Sequence, residues 1–519
     1  MTSSTLRLRP DESPQSLAGG LAELPRPLER QPEQDTSTIA EGVDIAKVIR
    51  GDFCIGCGAC AYVAPKAFTI EHDERGQLLA RMAPSATADD SQRAARVCPF
   101  AAGSAVGENE DSLARRHFPA QSTHHAALGL YLGCYAGHVA EQSYREGGSS
   151  GGYITWLLCK LLERSEVDAI LHVREHEGEG ESLFTFAVSR SADDVRANAK
   201  SRYYPVTLAG VLKLVHEQPG RYAVTGAPCF IKAVRLLQLE DEILAERIKY
   251  CVGLVCGHLK SRRFADLLGW QLGIVPGSLS KIDFRDKIPD RPSSRYGVRL
   301  AGLDSRGNRL EDASPMSELI GGDWGVGYFK YRACEFCDDV MAETADVAVG
   351  DAWLPGYVKD SKGANVVVVR HPDLHRLTEQ AIARGDLAFD RVDGDVVMRS
   401  QEGGLRDRRS GLAYRLHRAK EQGQWVPKKR VSPKAFRTDR WFRTQQDLRS
   451  SLVAKSHLAF ERALAEGSLD AFKAELEPTL GRYYAHMRSP RELFRRAWKK
   501  LLYAVSARLN LSMERSYER

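Results

Sequence analysis

The sequence predicts an α/β body, preceded by a small cysteine-bearing module and followed by a helical extension. Three observations carry that expectation. Short apolar runs alternate with helical patterns across residues 126–398, as in a sheet whose strands are joined by helices. Cysteines crowd into FCIGCGAC within residues 45–125. From residue 399 to residue 519 the chain turns polar, helical and rich in Arg and Lys.

The bulk numbers fit such a layout. A chain of 519 residues with 43% hydrophobic residues supports a sizeable core and two or three structural units. Lys and Arg number 74 against 68 Asp and Glu, a net charge of +6. That balance is too even to call for a nucleic-acid partner, and no basic, aromatic-interleaved patch argues for one. No apolar run reaches the roughly 20 residues that span a bilayer. The opening MTSSTLRLRPDESPQSL contains no continuous apolar segment of the secretory kind. A cytoplasmic protein is expected, with residues 1–44, rich in Pro, Ser, Glu, Gln and Gly, as a flexible leader.

In a reducing compartment the eleven cysteines point to metal or redox chemistry rather than disulfides. Cys54, Cys57 and Cys60 have the spacing that opens a bacterial ferredoxin motif, yet Ala64 stands where its fourth cysteine should precede Pro65. In two-cluster ferredoxins that fourth cysteine ligates the other cluster. Ala64 therefore removes a ligand from a second cluster, and the first is completed by a distant Cys-Pro, here Cys98-Pro99. Cys54, Cys57, Cys60 and Cys98 then form a set for one 4Fe-4S cluster, with structural zinc as the competing reading. Gly56 and Gly58 suit a backbone that passes close to cluster sulfides. Beyond this module, GENEDSLARR, at Glu108 to Arg116, reads as an exposed polar connection.

In the body, candidate strands are Ala169–Val173, Leu183–Ser189, Arg221–Gly226, Tyr250–Gly257, Ala345–Asp351 and Asn365–Arg370. Four cysteines fall where such a body places its chemistry. Cys229 follows a strand and a TGAP turn and opens a helix, where thiolate is favoured. Cys256 ends a strand, at the edge where open sheets hold ligands. Cys334 and Cys337 form a CEFC pair. Two lone cysteines and one CxxC can assemble a four-thiolate site, although a lone cysteine is commonly a small buried hydrophobe. Cys134, Cys159 and Cys251 read as core.

Gly147, Gly148, Ser149, Ser150, Gly151 and Gly152 precede the helix YITWLLCKLLE. The run is neither a Walker loop nor GxGxxG. Small residues at a helix start expose N–H groups to a phosphate, so a dinucleotide pyrophosphate fits, and so does a plain turn. In RELFRRAWKKLLYAVSARL, the apolar residues Leu493, Phe494, Ala497, Trp498, Leu501, Leu502 and Val505 share one helical face opposite a basic one. That helix either docks on its own protein or meets a membrane surface or partner.

GGSSGGYITWLL, KSRYYPV, TGAPCFIKAVRLL, GLVCGH, RACEFCDD and ADVAVGDAW occur in this order. Together they resemble the family of coenzyme F420 hydrogenase/dehydrogenase beta subunits, which includes 7-hydroxymethyl chlorophyll a reductase-like proteins, over roughly Cys54 to Arg370. The resemblance implies an α/β (α+β) flavin-binding body with a small N-terminal ferredoxin-like domain and a helical C-terminal extension. It implies FAD, rather than FMN, held by Gly147 to Gly152, by Lys200, Ser201, Arg202 and Tyr203, and by Thr225 and Gly226. It further implies a second 4Fe-4S cluster on Cys229, Cys256, Cys334 and Cys337. Many relatives keep a complete double ferredoxin motif, whereas this chain keeps the ligands of one cluster there.

The implied function is an iron–sulfur flavoprotein oxidoreductase. It links a one-electron donor such as ferredoxin to a two-electron small molecule, either a coenzyme F420-like deazaflavin or another acceptor. The second reading is an electron-transfer subunit that feeds a partner enzyme. The direction of flow and the state of self-association, homo-oligomer included, stay open. His258, Asp351 and Glu343 lie near the motifs, but no catalytic residue stands out.

Overall fold

The computed structural model describes residues 45–101, 109–141, 143–176 and 182–490. The expected leader at residues 1–44 and the amphipathic helix within residues 491–509 lie outside the described residues.

Eight strands form the central sheet: β1 (Gly133–Val139), β2 (Ala169–Glu175), β3 (Phe184–Ser189), β4 (Tyr222–Gly226), β5 (Ile248–Leu254), β6 (Val347–Asp351), β7 (Asn365–Val369) and β8 (Leu387–Arg391). Their spatial order is β8-β1-β7-β6-β5-β4-β2-β3. The middle four, β6, β5, β4 and β2, run parallel. The strands at each side pair antiparallel. Successive residues of one strand bury on opposite faces: Val367 and Val369 join one core, Val366 and Val368 the other. Helices Tyr153–Glu163 and Pro372–Arg384 cover the first face. Helices Ala209–Glu217 and Pro228–Glu240 cover the second. A sheet buried on both sides needs apolar residues at every position, which is why NVVVV reads as a continuous run.

The cysteine module is a hairpin, Phe68–His72 with Leu78–Met82, packed on helices Ile45–Arg50, Ala59–Val63 and Ala88–Val97. Thr87 caps the last helix reciprocally with Asp90. The module is fastened to the body by Phe53, fully buried with its ring 5.2 Å from Phe336 and 5.6 Å from Trp425. The Leu78 N–H also donates to the Tyr331 hydroxyl at 2.8 Å.

A second sheet, which the sequence alone does not announce, is built from Leu279–Asp286, Gly297–Leu303 and Arg309–Pro315. It shares a core with helix Arg263–Gln271 and with helices Arg440–Glu466 and Leu469–Met487. Over its described part the extension consists of helices that pack into the body rather than beside it.

Two local expectations are corrected. The stretch read as an exposed polar connection is a helix, Glu110–His117, in which Glu110, Leu113 and Ala114 are buried. Glu110 can be buried because Lys232 donates to its carboxylate at 3.0 Å and Arg430 lies 3.4 Å away. The strand expected to run to Gly257 stops at Leu254. Beyond it, the Cys256 N–H turns to the Val340 carbonyl.

Candidate functional site

Cys54, Cys57, Cys60 and Cys98 line one small cavity in the module. Backbone N–H groups of Gly56 and Ala80 donate to the Cys54 sulfur at 3.4 and 3.3 Å. N–H groups of Ala59, Ala61 and Phe100 face Cys57, Cys60 and Cys98. Such a shell of donors favours sulfur carrying negative charge. Burial alone works the other way, pushing the Cys98 thiol up to about 12 and those of Cys54 and Cys60 upward. A bound metal ion offsets that cost by taking thiolate directly. Gly58 sits at φ +90°, where a Cβ would lie 2.5 Å from the Thr207 hydroxyl oxygen, so only glycine fits this loop against the body.

Cys229, Cys256 and Cys334 with Cys337 come from three separate segments and face one another. Cys229 opens helix Pro228–Glu240, and Cys334 lies in the short helix Arg332–Glu335. The Leu259 N–H donates to the Cys334 sulfur at 3.2 Å. Cys229 also faces Cys57 of the module, so the two sets are neighbours. Among the described residues no group of three or more His, Cys, Asp or Glu closes to the spacing of a single ion. Cys134, Cys159 and Cys251 are buried in the core, as expected.

A cavity of about 1020 Å³ opens at the C-terminal edge of the parallel strands, where open α/β sheets hold ligands. Gly148, Ser149, Ser150, Gly152, Lys200, Ser201, Arg202, Tyr203, Thr225 and Gly226 all line it, together with Cys256. Gly147 and Gly151 do not. Gly147 ends a short helix and faces open space, while a Cβ on Gly151 would meet the Asn365 side chain at 2.7 Å. Their smallness serves the turn instead. Gly152, at φ +87°, caps helix Tyr153–Glu163, whose first turn forms part of the wall. The Ser201 N–H donates to Ser149 Oγ at 2.8 Å, joining the glycine-rich turn to the KSRYY stretch. Lys200 holds a strained φ of 132° and pairs with Asp283 at 2.9 Å.

The rest of the wall has no signature in the sequence. Arg285 makes a two-pronged pair with Asp351 at 2.9 and 3.1 Å and lies over the Tyr296 ring at 4.1 Å. Lys260, 2% exposed, donates to the Tyr328 carbonyl at 2.6 Å and lies over the rings of Phe264 and Trp324. Burial, with Lys330 nearby, pushes its ammonium down to about 7. His258 rests against Trp324 at 4.8 Å. Four buried wall atoms, Arg202 Nε, His258 Nε2, Arg285 Nε and Arg449 Nε, have no hydrogen-bond partner, the condition of a wall built to meet a polar ligand. Asp351 is thus a structural partner of Arg285, and Glu343 is buried against Arg430 and Arg409.

Family models match most of this architecture. Residues 134–213 match the N-terminal part, and residues 220–395 the C-terminal part, of the coenzyme F420 hydrogenase/dehydrogenase beta subunit. The chain belongs to this family of beta subunits. Residues 49–102, which include the module's four cysteines, match a 4Fe-4S single cluster domain. The one-cluster match agrees with the ligand lost at Ala64.

Individual relatives are distant. A subunit of the F(420)H(2) dehydrogenase of Methanosarcina mazei is 24% identical over 319 residues, 60% of this chain and 79% of its own length. The beta subunit of an F420-dependent formate dehydrogenase of Methanococcus maripaludis is 25% identical, over 43% of this chain and 60% of its own. Coenzyme F420-dependent sulfite reductase of Methanocaldococcus jannaschii is 27% identical, over 42% of this chain and 34% of its own. A chain of the F420-reducing NiFe hydrogenase complex from Methanosarcina barkeri aligns at TM-score 0.43 and 17% identity, over 59% of this chain and 98% of that one. No helix among the described residues is long and apolar enough to cross a membrane.

Proposed function

We propose that this family member is an iron–sulfur flavoprotein oxidoreductase. In this reading Cys54, Cys57, Cys60 and Cys98 hold one 4Fe-4S cluster, and Cys229, Cys256, Cys334 and Cys337 hold a second. The large cavity takes FAD together with a two-electron substrate. One observation carries the reading: two cysteine sets stand side by side, and a member of the inner set, Cys256, also lines a cavity large enough for a dinucleotide. When bound, the clusters supply one-electron transfer and the flavin supplies the exchange between single electrons and pairs.

The chain's own groups have separate tasks. Ser149 offers a hydroxyl donor, and the first turn of helix Tyr153–Glu163 beyond Tyr153 offers N–H donors, to a pyrophosphate, while Ser150 Oγ donates to the Ala364 carbonyl and the Tyr153 N–H to Asn365 Oδ1. Lys200, Arg202 and Arg285 meet its charge and polar edges. The wall of Trp324, Tyr296 and Trp353 keeps water from the reacting face. Lys260, held near neutral, is the group that can keep or release a proton at Nζ inside this wall. All three curated relatives carry coenzyme F420 in their names, which supports a deazaflavin as the substrate and a one-electron donor such as ferredoxin at the module.

A second reading rests on a different observation. Two of those relatives are named as subunits, which favours a chain that hands electrons to a partner enzyme. Flavin reduction by ferredoxin, followed anaerobically with and without deazaflavin, separates the two. Deazaflavin turnover by the isolated chain supports the first reading, and flavin reduction without turnover supports the second. The relay itself is tested by Cys229→Ala. Flavin reduction should slow at least tenfold, and an unchanged rate contradicts the relay.

A further inference from the structure

Arg408 is 2% exposed. It lies on a π-helical turn, Asp407–Gly411, set into the helical run from Glu402 to Glu421. Such turns insert one extra residue and re-aim a side chain. Here the result is a guanidinium that donates to the Gly257 carbonyl, next to Cys256, and also lines the large cavity. Among the described residues no carboxylate lies within salt-bridge distance of it. The neighbouring Asp407 is taken up by Arg415, Lys330 and Arg449. The groups that face its charge most strongly are the sulfurs of Cys337, Cys334 and Cys256.

A buried cation without an anion costs several kcal/mol. Neutral thiols would leave that cost standing, whereas four thiolates around an iron–sulfur core carry net negative charge and offset it. We propose that Arg408 is the counter-cation of the inner four-cysteine centre and raises its reduction potential, drawing electrons from the module toward the cavity. This rests on the two-cluster reading above. Reduction adds one electron from a ferredoxin-class donor and no proton at Arg408, which is charged in both states. The reduced centre is the more negative and gains more from the cation, so the cation favours reduction.

The test is an anaerobic potentiometric titration of the full holoprotein with dithionite, read by electron paramagnetic resonance, for wild type, Arg408→Met and Arg408→Lys. In R408M one cluster signal should move to lower potential by at least tenfold in its reduction equilibrium, about 59 mV for one electron. The other signal should stay in place, and R408K should hold close to wild type. Two unmoved midpoints in R408M, or an equal shift in R408K, overturn the proposal. Should R408M fail to assemble, iron content decides: loss of about four irons in R408M alone supports it, and loss in both variants overturns it. A wild type with a single cluster signal would instead refute the two-cluster reading.

Discussion

The backbone N–H of Leu208 donates to the carbonyl of Cys57 at 2.9 Å. This bond ties the module's cysteine loop to the segment leading into helix Ala209–Glu217 of the body. Gly58, the next residue, meets Thr207 from the other side. The module's cysteine loop is therefore held to the body by backbone contact.

Gly58→Ala tests that junction. The substitution meets both a left-handed φ and the Thr207 hydroxyl, a strain of about 1–3 kcal/mol. A lower Tm with reduced iron content is expected. A Tm equal to wild type would show that the loop is not clamped.

Lys260 predicts a pH-dependent cost. Its folded pKa, about 7, lies below its unfolded value. Below pH 7 both states are protonated and the full penalty of the buried charge applies. Between pH 7 and about 10.4 the unfolded chain binds more protons, so this group's contribution to stability rises with pH. Lys260→Met should therefore be more stable than wild type at pH 6.5, by about 1–4 kcal/mol. The gap should close toward pH 10 in denaturant titrations, and equal stability at pH 6.5 contradicts the assignment.

His457 predicts the opposite limb. It is 6% exposed, against the Phe329 ring, and burial pushes its pKa down to about 3. As pH falls from about 6.5 to 3, the unfolded chain takes the proton first and stability is lost. His457→Gln should flatten the fall in stability between pH 6 and pH 4. An unchanged slope would mean the imidazole is charged where it sits.

Arg430 joins Asp111, Asp338 and Glu343, with contacts of 2.9, 3.3 and 2.7 Å. Arg430→Met should cost about 3–5 kcal/mol by leaving buried carboxylates unmatched. Adding Glu343→Gln should recover part of that loss. Strictly additive losses in the double variant would show that the two residues do not interact.

The legible parts of this fold are those with local signatures. The parallel strands announce themselves because both sheet faces are covered, so Asn365–Val369 and Tyr222–Gly226 carry few polar residues. The module's cysteines are legible because a cluster imposes short, fixed spacings. The second sheet is hidden because its first strand, Leu279–Asp286, alternates buried Ile282 and Phe284 with Lys281, Asp283 and the buried Arg285, and its register breaks after Asp283. Helix Glu110–His117 looks like a loop because its anchoring contact is Glu110 to Lys232, 122 residues away. For the same reason Lys260 and Arg408 are invisible in the sequence: a buried cation is recognisable only by partners that the fold supplies.

The most direct test is the composition of the anaerobically purified full chain. The expected composition is about eight irons, about eight sulfides and one FAD per chain. Four irons, or zinc in place of iron, or a colourless protein without flavin would contradict it.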